Sequence, residues 1–293
     1  MKSISPILLG LSLAVVGSSL AAAQETTTFP KVLQITREFT KPYKGGAAHD
    51  KTESAFVEAS RRAKVPANYI ALNSMSGKAR ALFLTQYASF AEWQKVNDFV
   101  DKNKALSAEF ERAGIADGEL LDSVDSSVFT RDEELSYKPH ADISSARYME
   151  ISVFHVRLGH GADWRKLGKM VRAAHDKAGT SAHWAMFEAA YGVDDGTYIA
   201  ISGDKSMADI DTGYAEDKKF RDAIGEDGMK ELNKLYGETV DSSHSELFAV
   251  NPRQSYVAEE WIKANPDFWK PKPAGAPAAA PAAKPAEAKK PNP

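Results

Sequence analysis

Seven histidines and no cysteine set the reactive repertoire of this 293-residue chain. A neutral imidazole can ligate a metal or move a proton near neutral pH. Five of the seven, His155, His160, His175, His183 and His244, lie in the second half, which makes that half the place to look for a site. His155 continues the alternating face of Met149, Ile151 and Val153, and Arg37 holds the matched place in the first half. A cation at such matched positions also marks where a strand emerges into solvent. His175 follows Val171 by four residues at the border of an apolar helical face, where it can point into a cleft between helix and sheet. His183-Trp184 opens a strand that continues to Phe187 and Tyr191. Each of these has an ordinary reading too: a lone histidine is commonly bonded to water or backbone, and dense aromatics pack cores.

Other chemistries lack their residues. Zero Cys excludes disulfides, thiolate nucleophiles and Cys metal sites. No paired His/carboxylate spacing of a recognised kind is present, so no metal is expected. His155 and His160 are five apart across a strand end, which gives them no shared face. Gly159 to Asp163 is glycine-rich but lacks the Lys-Ser/Thr of a phosphate loop, and Asp163 reads as the N-cap of the next helix. Ser126-Ser127 and Ser242-Ser243 have no nucleophile-base arrangement around them and read as shared turn or strand-edge geometry.

The elements that must position these residues are repeated. Val124-Asp125-Ser126-Ser127 recurs as Val240-Asp241-Ser242-Ser243, and each is followed by Ser-Tyr, at Ser136-Tyr137 and Ser255-Tyr256. Residues 81–93 match 198–210 in pattern, and Leu33 and Ile35 lie over Ile151 and Val153. Three anchors at nearly one offset indicate an internal duplication. Within each copy, β-branched and aromatic runs predict strands at 31–39 and 148–158. Helical patterns follow, on Thr52, Phe56, Ala59 and Ala63 and on Trp164, Leu167, Val171, Ala174 and Ala178. Then come a hairpin, a second helical region at 89–113 or 206–236, and a last strand at 121–130 or 239–250. The order β-α-β-β-α-β, twice, is an α+β plan of two tandem ferredoxin-like repeats. Each leaves one sheet face uncovered, and pairing those faces makes one intrachain pseudo-twofold α/β barrel.

Over residues 31–137 and 148–256 the chain resembles the dimeric α/β-barrel superfamily in its fused, tandem form. The strand at 31–39, the hairpin strand at 80–87 and the helix opening Ser89-Phe90-Ala91-Glu92-Trp93 are similar to NIPSNAP-like and antibiotic-biosynthesis-monooxygenase-like members. That superfamily includes haem-degrading and cofactor-independent monooxygenases, chlorite dismutase-like haem proteins and members without known activity, so fold does not select a function. The resemblance implies a ligand held between sheet and helices of one repeat, with His155, His175, His183 and Trp184, and Arg37 in the first repeat, as candidate ligand-binding residues.

The two ends carry an address and a spacer. Lys2, the apolar run Ile7–Val16 and Ala21-Ala22-Ala23 form a cleavable signal peptide over residues 1–23, which implies a periplasmic or secreted protein with no transmembrane segment after cleavage. First and second repeats are assigned to 24–139 and 140–262. Residues 263–293 form a Pro/Ala/Lys-rich tail expected to be disordered, with possible cell-envelope contact through its lysines. The formal net charge is −3; setting aside Lys2 and the tail's +4 leaves −8 on residues 24–269, which argues against nucleic-acid binding. Outside the cytoplasm, ATP and reduced nicotinamide are scarce. The sequence therefore favours a monomeric, non-catalytic module binding a small apolar or aromatic ligand, with no cofactor. The alternative is a monooxygenase-like or haem-handling enzyme with its pocket in the second repeat.

Overall fold

The two β-rich stretches that head the repeats form strands Val32–Thr40 (β1) and Tyr148–Val156 (β5) in the computed structural model, which describes residues 30–139 and 143–270. The first repeat continues through helix Ala47–Ala63 (α1), hairpin strands Tyr69–Ser74 (β2) and Arg80–Tyr87 (β3), helices Phe90–Lys102 (α2) and Lys104–Gly118 (α3), and strand Leu121–Tyr137 (β4). The second runs through helix Gly161–Ala178 (α4), strands Trp184–Tyr191 (β6) and Thr197–Asp204 (β7), helix Met207–Thr239 (α5) and strand Val240–Val250 (β8). Short helices Glu259–Ala264 (α6) and Pro266–Trp269 (α7) follow. The expected signal peptide and the tail beyond 270 lie outside the described residues.

Each repeat forms an antiparallel sheet, ordered β4-β1-β3-β2 and β8-β5-β7-β6, and the sheets join through β4–β6 and β2–β8 into a closed eight-stranded barrel. Successive side chains on a strand point to opposite faces. Leu33, Ile35, Phe129, Ile151, Phe187 and Phe248 therefore turn inward and fill one core drawn from both repeats, while their neighbours meet the helices. This is the expected tandem dimeric α/β-barrel architecture. Closure also leaves the described strands without a free sheet edge.

The matched Ser-Tyr pairs tie each repeat to the other. Ser136 Oγ accepts from the Met186 amide at 3.0 Å, and Ser255 Oγ accepts from the Ala71 amide at 2.9 Å. The C-terminal arm of each unit thus crosses onto the other's hairpin. The Val-Asp-Ser-Ser segments lie inside β4 and β8, beside matched bulges opposite Phe39/Thr40 and His155/Val156, rather than in turns. At the hairpin between β6 and β7, Gly192 and Gly196 have φ of +84° and +81°, and a Cβ on either would come within 2.4 Å of a backbone carbonyl oxygen.

Four boundaries differ from the sequence reading, the first being β4, which runs on to Tyr137 where a strand end at 130 is expected. The second helical region of the first repeat is two helices, because Asn103 breaks it and its side chain accepts from the Leu106 amide. Helix α4 starts at Gly161, so Asp163 lies in its first turn, 3.0 Å from His160 Nδ1, and is not the N-cap. The fold extends past residue 262: Ile262 and Trp269 are buried in the barrel core, and Trp269 Nε1 donates to the Ser144 carbonyl at 3.0 Å.

Candidate functional site

Even-numbered residues of β5 face the helices, and in the second repeat α4 and α5 stand off from that face. Between them is a cavity of about 830 Å³, within the range of small-molecule sites. Phe154, Trp164, Leu167, Val171, Met186 and Ala200 give it an apolar wall. Its carboxylates are Glu150 on β5, Asp204 at the end of β7, and Asp209 and Asp217 on α5, and hydroxyls of Ser152, Ser202, Tyr214 and Tyr236 also face it. Among the described residues no Lys or Arg lines it. Burial pushes the Asp204 carboxyl above its ordinary pKa, with His183 pulling against that and Asp209 adding to it.

Of the residues singled out from sequence, His175, His183 and Trp184 come together at this cavity. His175 is half-buried. Its ring packs 4.6 Å from Phe220 and 5.6 Å from Trp184, its Nδ1 lies 2.8 Å from Thr180 Oγ1, and its Nε2 has no partner among the described residues. Burial, reinforced by the Lys138 charge, lowers its pKa, which keeps the imidazole neutral at pH 7. His183 is a strut, with its two ring nitrogens 3.1 and 3.0 Å from the Ser181 and Gly203 carbonyl oxygens. Trp184 Nε1 donates to the Leu135 carbonyl at 2.8 Å, and its ring lies 5.0 Å from that of Tyr137.

Arg37 and His155 are not part of the cavity. His155 does share the face of Met149, Ile151 and Val153, but that face is the barrel interior, on the other side of the sheet from the helices. There its Nδ1 meets Thr197 Oγ1 at 3.2 Å. Arg37, at the matched place on β1, is held by Asp125 and donates to Ser127 Oγ at 2.9 Å.

The corresponding space in the first repeat is filled by charge. His49 and Glu53 on α1, Asp117 on α3 and Glu38 on β1 gather between helix and sheet, and all but Glu38 are buried. His49 Nε2 lies 3.0 Å from Glu38 Oε2 and 3.4 Å from Asp117 Oδ1. Burial alone would lower the His49 pKa, but hydrogen bonds to Asp117 and Glu38 and the charges of Asp117 and Glu53 outweigh it and carry it up to about 10. Burial, with the charges of Glu38 and Asp117, pushes Glu53 well above the ordinary carboxylate range. Periodicity read from apolar residues misses this group, because the buried face of α1 is polar. The available signal was His49 and Glu53 at i and i+4, one turn apart on one helix face.

Haem is the cofactor that the fold resemblance raises, and the second-repeat cavity can be tested for it. A histidine nitrogen without a partner is present at His175, but the acidic propionates would meet Glu150, Asp204 and Asp209 with no lysine or arginine among the lining residues to receive them, and the nearby guanidinium of Arg221 is already paired with Asp217. The residues present do not fit haem.

No family model and no curated protein sequence matches this chain. Among solved structures, it is similar to a candidate monooxygenase of Fusobacterium nucleatum at 10% identity and TM-score 0.49, covering 75% of this chain and 91% of that one. An anthrone oxidase-like protein is 14% identical with TM-score 0.49 over 75% of this chain and 92% of its own. A chlorite dismutase variant from Candidatus Nitrospira defluvii is 9% identical with TM-score 0.46, over 81% and 96%. The architecture of the present chain rests on its own strand order and register.

Proposed function

We propose that the second-repeat cavity binds a small, ring-bearing molecule that is neutral or positively charged. The observation that carries this reading is the lining: an aromatic and aliphatic wall with four carboxylates and no cationic side chain. Apolar rings gain by leaving water, a cation gains from the carboxylates and from the aromatic faces, and an anion is repelled. Trp164 and Trp184 report on occupancy. Titration with aromatic amines should quench their fluorescence, and the matching aromatic carboxylates should bind at least about tenfold more weakly, a difference of about 1.4 kcal/mol. Equal binding of amines and acids would refute the reading.

A monooxygenase-like or other acid-base activity is the second reading, and the neutral imidazole of His175 with its partnerless Nε2 is what favours it. Such a group can accept a proton from a bound substrate. Oxygen consumption with a panel of phenols and hydroquinones tests it, with His175→Gln expected to abolish any turnover while retaining ligand binding. Titration with haem is expected to give no Soret shift. The signal-peptide residues support the inference that this binding takes place in the periplasm or outside the cell, and the internally closed barrel supports a monomer. Fractionation and light scattering test these two points.

A further inference from the structure

We propose that Glu38, His49, Glu53 and Asp117 form a binding site for one first-row divalent cation, of the Zn²⁺ or Mn²⁺ class, buried between α1, α3 and β1 of the first repeat. One ligand atom from each of the four side chains lies within 4.8 Å of all the others. His49 Nε2 lies 3.0 Å from Glu38 Oε2 and 3.4 Å from Asp117 Oδ1. Metal–ligand bonds of about 2.1 Å place tetrahedral ligands about 3.4 Å apart, so only a small contraction is needed.

Independent of the clustering, Glu53 itself points to a ligand. It is 4% exposed, its carboxylate belongs to the cluster, and its Oε1 is buried with no hydrogen-bond partner. Leaving such an atom unpaired is costly, and a cation would satisfy it. With a neutral His49 and three ionised carboxylates the cluster carries −3; a divalent ion reduces this to −1. In its absence the protein keeps protons on the group instead, as the raised His49 and Glu53 values express.

The donor set selects the cation. An imidazole among three carboxylates suits Zn²⁺, Mn²⁺ or Fe²⁺, whereas Ca²⁺ prefers all-oxygen sets and Mg²⁺ retains waters that this buried place has little room for. Supporting residues surround the ligands as metal sites require. Thr52 Oγ1 donates to Asp117 Oδ1, and the fully buried Gln254 lies 3.3 Å from His49 Nδ1. A cation on Nε2 requires the proton on Nδ1. A half-turn of the Gln254 carboxamide would present its buried, partnerless Oε1 to accept that proton, giving up the 3.1 Å bond from its Nε2 to Asp50 Oδ1, which Asn251 Nδ2 also serves at 2.8 Å. Gln254 comes from the arm of the second repeat, so the site would be braced across the repeat boundary.

The test uses the whole chain, stripped with a chelator, dialysed and titrated calorimetrically with Zn²⁺, Mn²⁺, Ca²⁺ and Mg²⁺ separately. The expected result is one equivalent of Zn²⁺ or Mn²⁺ bound with a raised Tm, Ca²⁺ and Mg²⁺ binding at least about tenfold more weakly, and a visible absorption band when Co²⁺ is substituted. Glu53→Gln and Asp117→Asn should each weaken binding at least about tenfold. His160→Gln, at an exposed His–Asp pair, should not. Circular dichroism separates lost binding from lost folding, and Glu53→Gln is expected to stay folded because it replaces a buried carboxyl by a neutral group of the same shape. Failure to bind any of these ions stoichiometrically, or binding unchanged in both variants, would overturn the proposal. Neither outcome bears on the ligand of the second-repeat cavity.

Discussion

Where α4 sets Trp164 and Gly168 over the sheet, α1 sets His49 and Glu53, the helices being aligned by their left-handed caps at Gly179 and Lys64. Where α5 brings Leu235 and β5 brings Val156, α3 brings Asp117 and β1 brings Glu38. One backbone plan therefore holds two different interiors. In the second repeat Val156, Trp164 and Leu235 pack in one apolar cluster, and beside it Trp164 and Gly168 border the space that the long α5, kinked at Gly225, leaves open. In the first, α3 closes on α1, with the Phe56 and Phe110 rings 5.7 Å apart, and the same layer is occupied by one imidazole and three carboxyl groups. Shared topology conserved the layers, and the side chains decided whether the layer became a cavity or an ionic cluster.

The comparison is most exposed at its two histidines. His49→Ala removes the cationic partner of three buried or part-buried carboxylates and should cost about 3–5 kcal/mol of unfolding free energy at pH 7. His175→Ala, on the half-exposed wall of the cavity, should cost less than about 1 kcal/mol. Equal losses in urea denaturation would remove the distinction between the repeats. A cavity-filling change comes next: Ala200→Phe should reduce ligand quenching at least about tenfold while leaving first-repeat metal binding intact.

Glu53→Gln should act in the opposite direction to most core substitutions. In chelator it should be near neutral at pH 5 and stabilise by on the order of 1 kcal/mol at pH 8, because the wild-type carboxyl resists ionising in place. A loss at both pH values would contradict a buried, proton-holding group.

The pH dependence gives the smallest contrast, and the two halves pull opposite ways. His49 has its folded pKa raised from 6.5 to about 10, so its stabilisation is full below about pH 6.5 and is lost as pH rises toward 10. His175 has its folded pKa lowered, so the unfolded chain binds more protons and stability is lost as pH falls below about 6.5. Tm measured in chelator should fall on both sides, and His175→Gln should flatten only the acidic limb.

Much of the architecture was legible in the sequence because duplication and alternation leave local marks. Leu33 and Ile35 over Ile151 and Val153, and the paired Ser-Tyr positions, fixed the tandem plan and the inward faces. The cavity was half legible: His175, His183 and Trp184 converge there, but alternation placed His155 on a face without saying which side of the sheet that face would meet. The first-repeat cluster was hidden, since a search for apolar periodicity begins α1 at Thr52 and passes over His49 and Glu53.

By itself, then, the sequence determined the repeated order of elements and the two-residue period of each strand, because both depend on residues close together in the chain. Tertiary structure alone decided which face became the barrel core, that α4 and α5 leave a cavity, and that four charged side chains spread from residue 38 to residue 117 share one buried place. Those outcomes depend on how far helices stand from a closed sheet, a distance set by packing among residues remote in sequence.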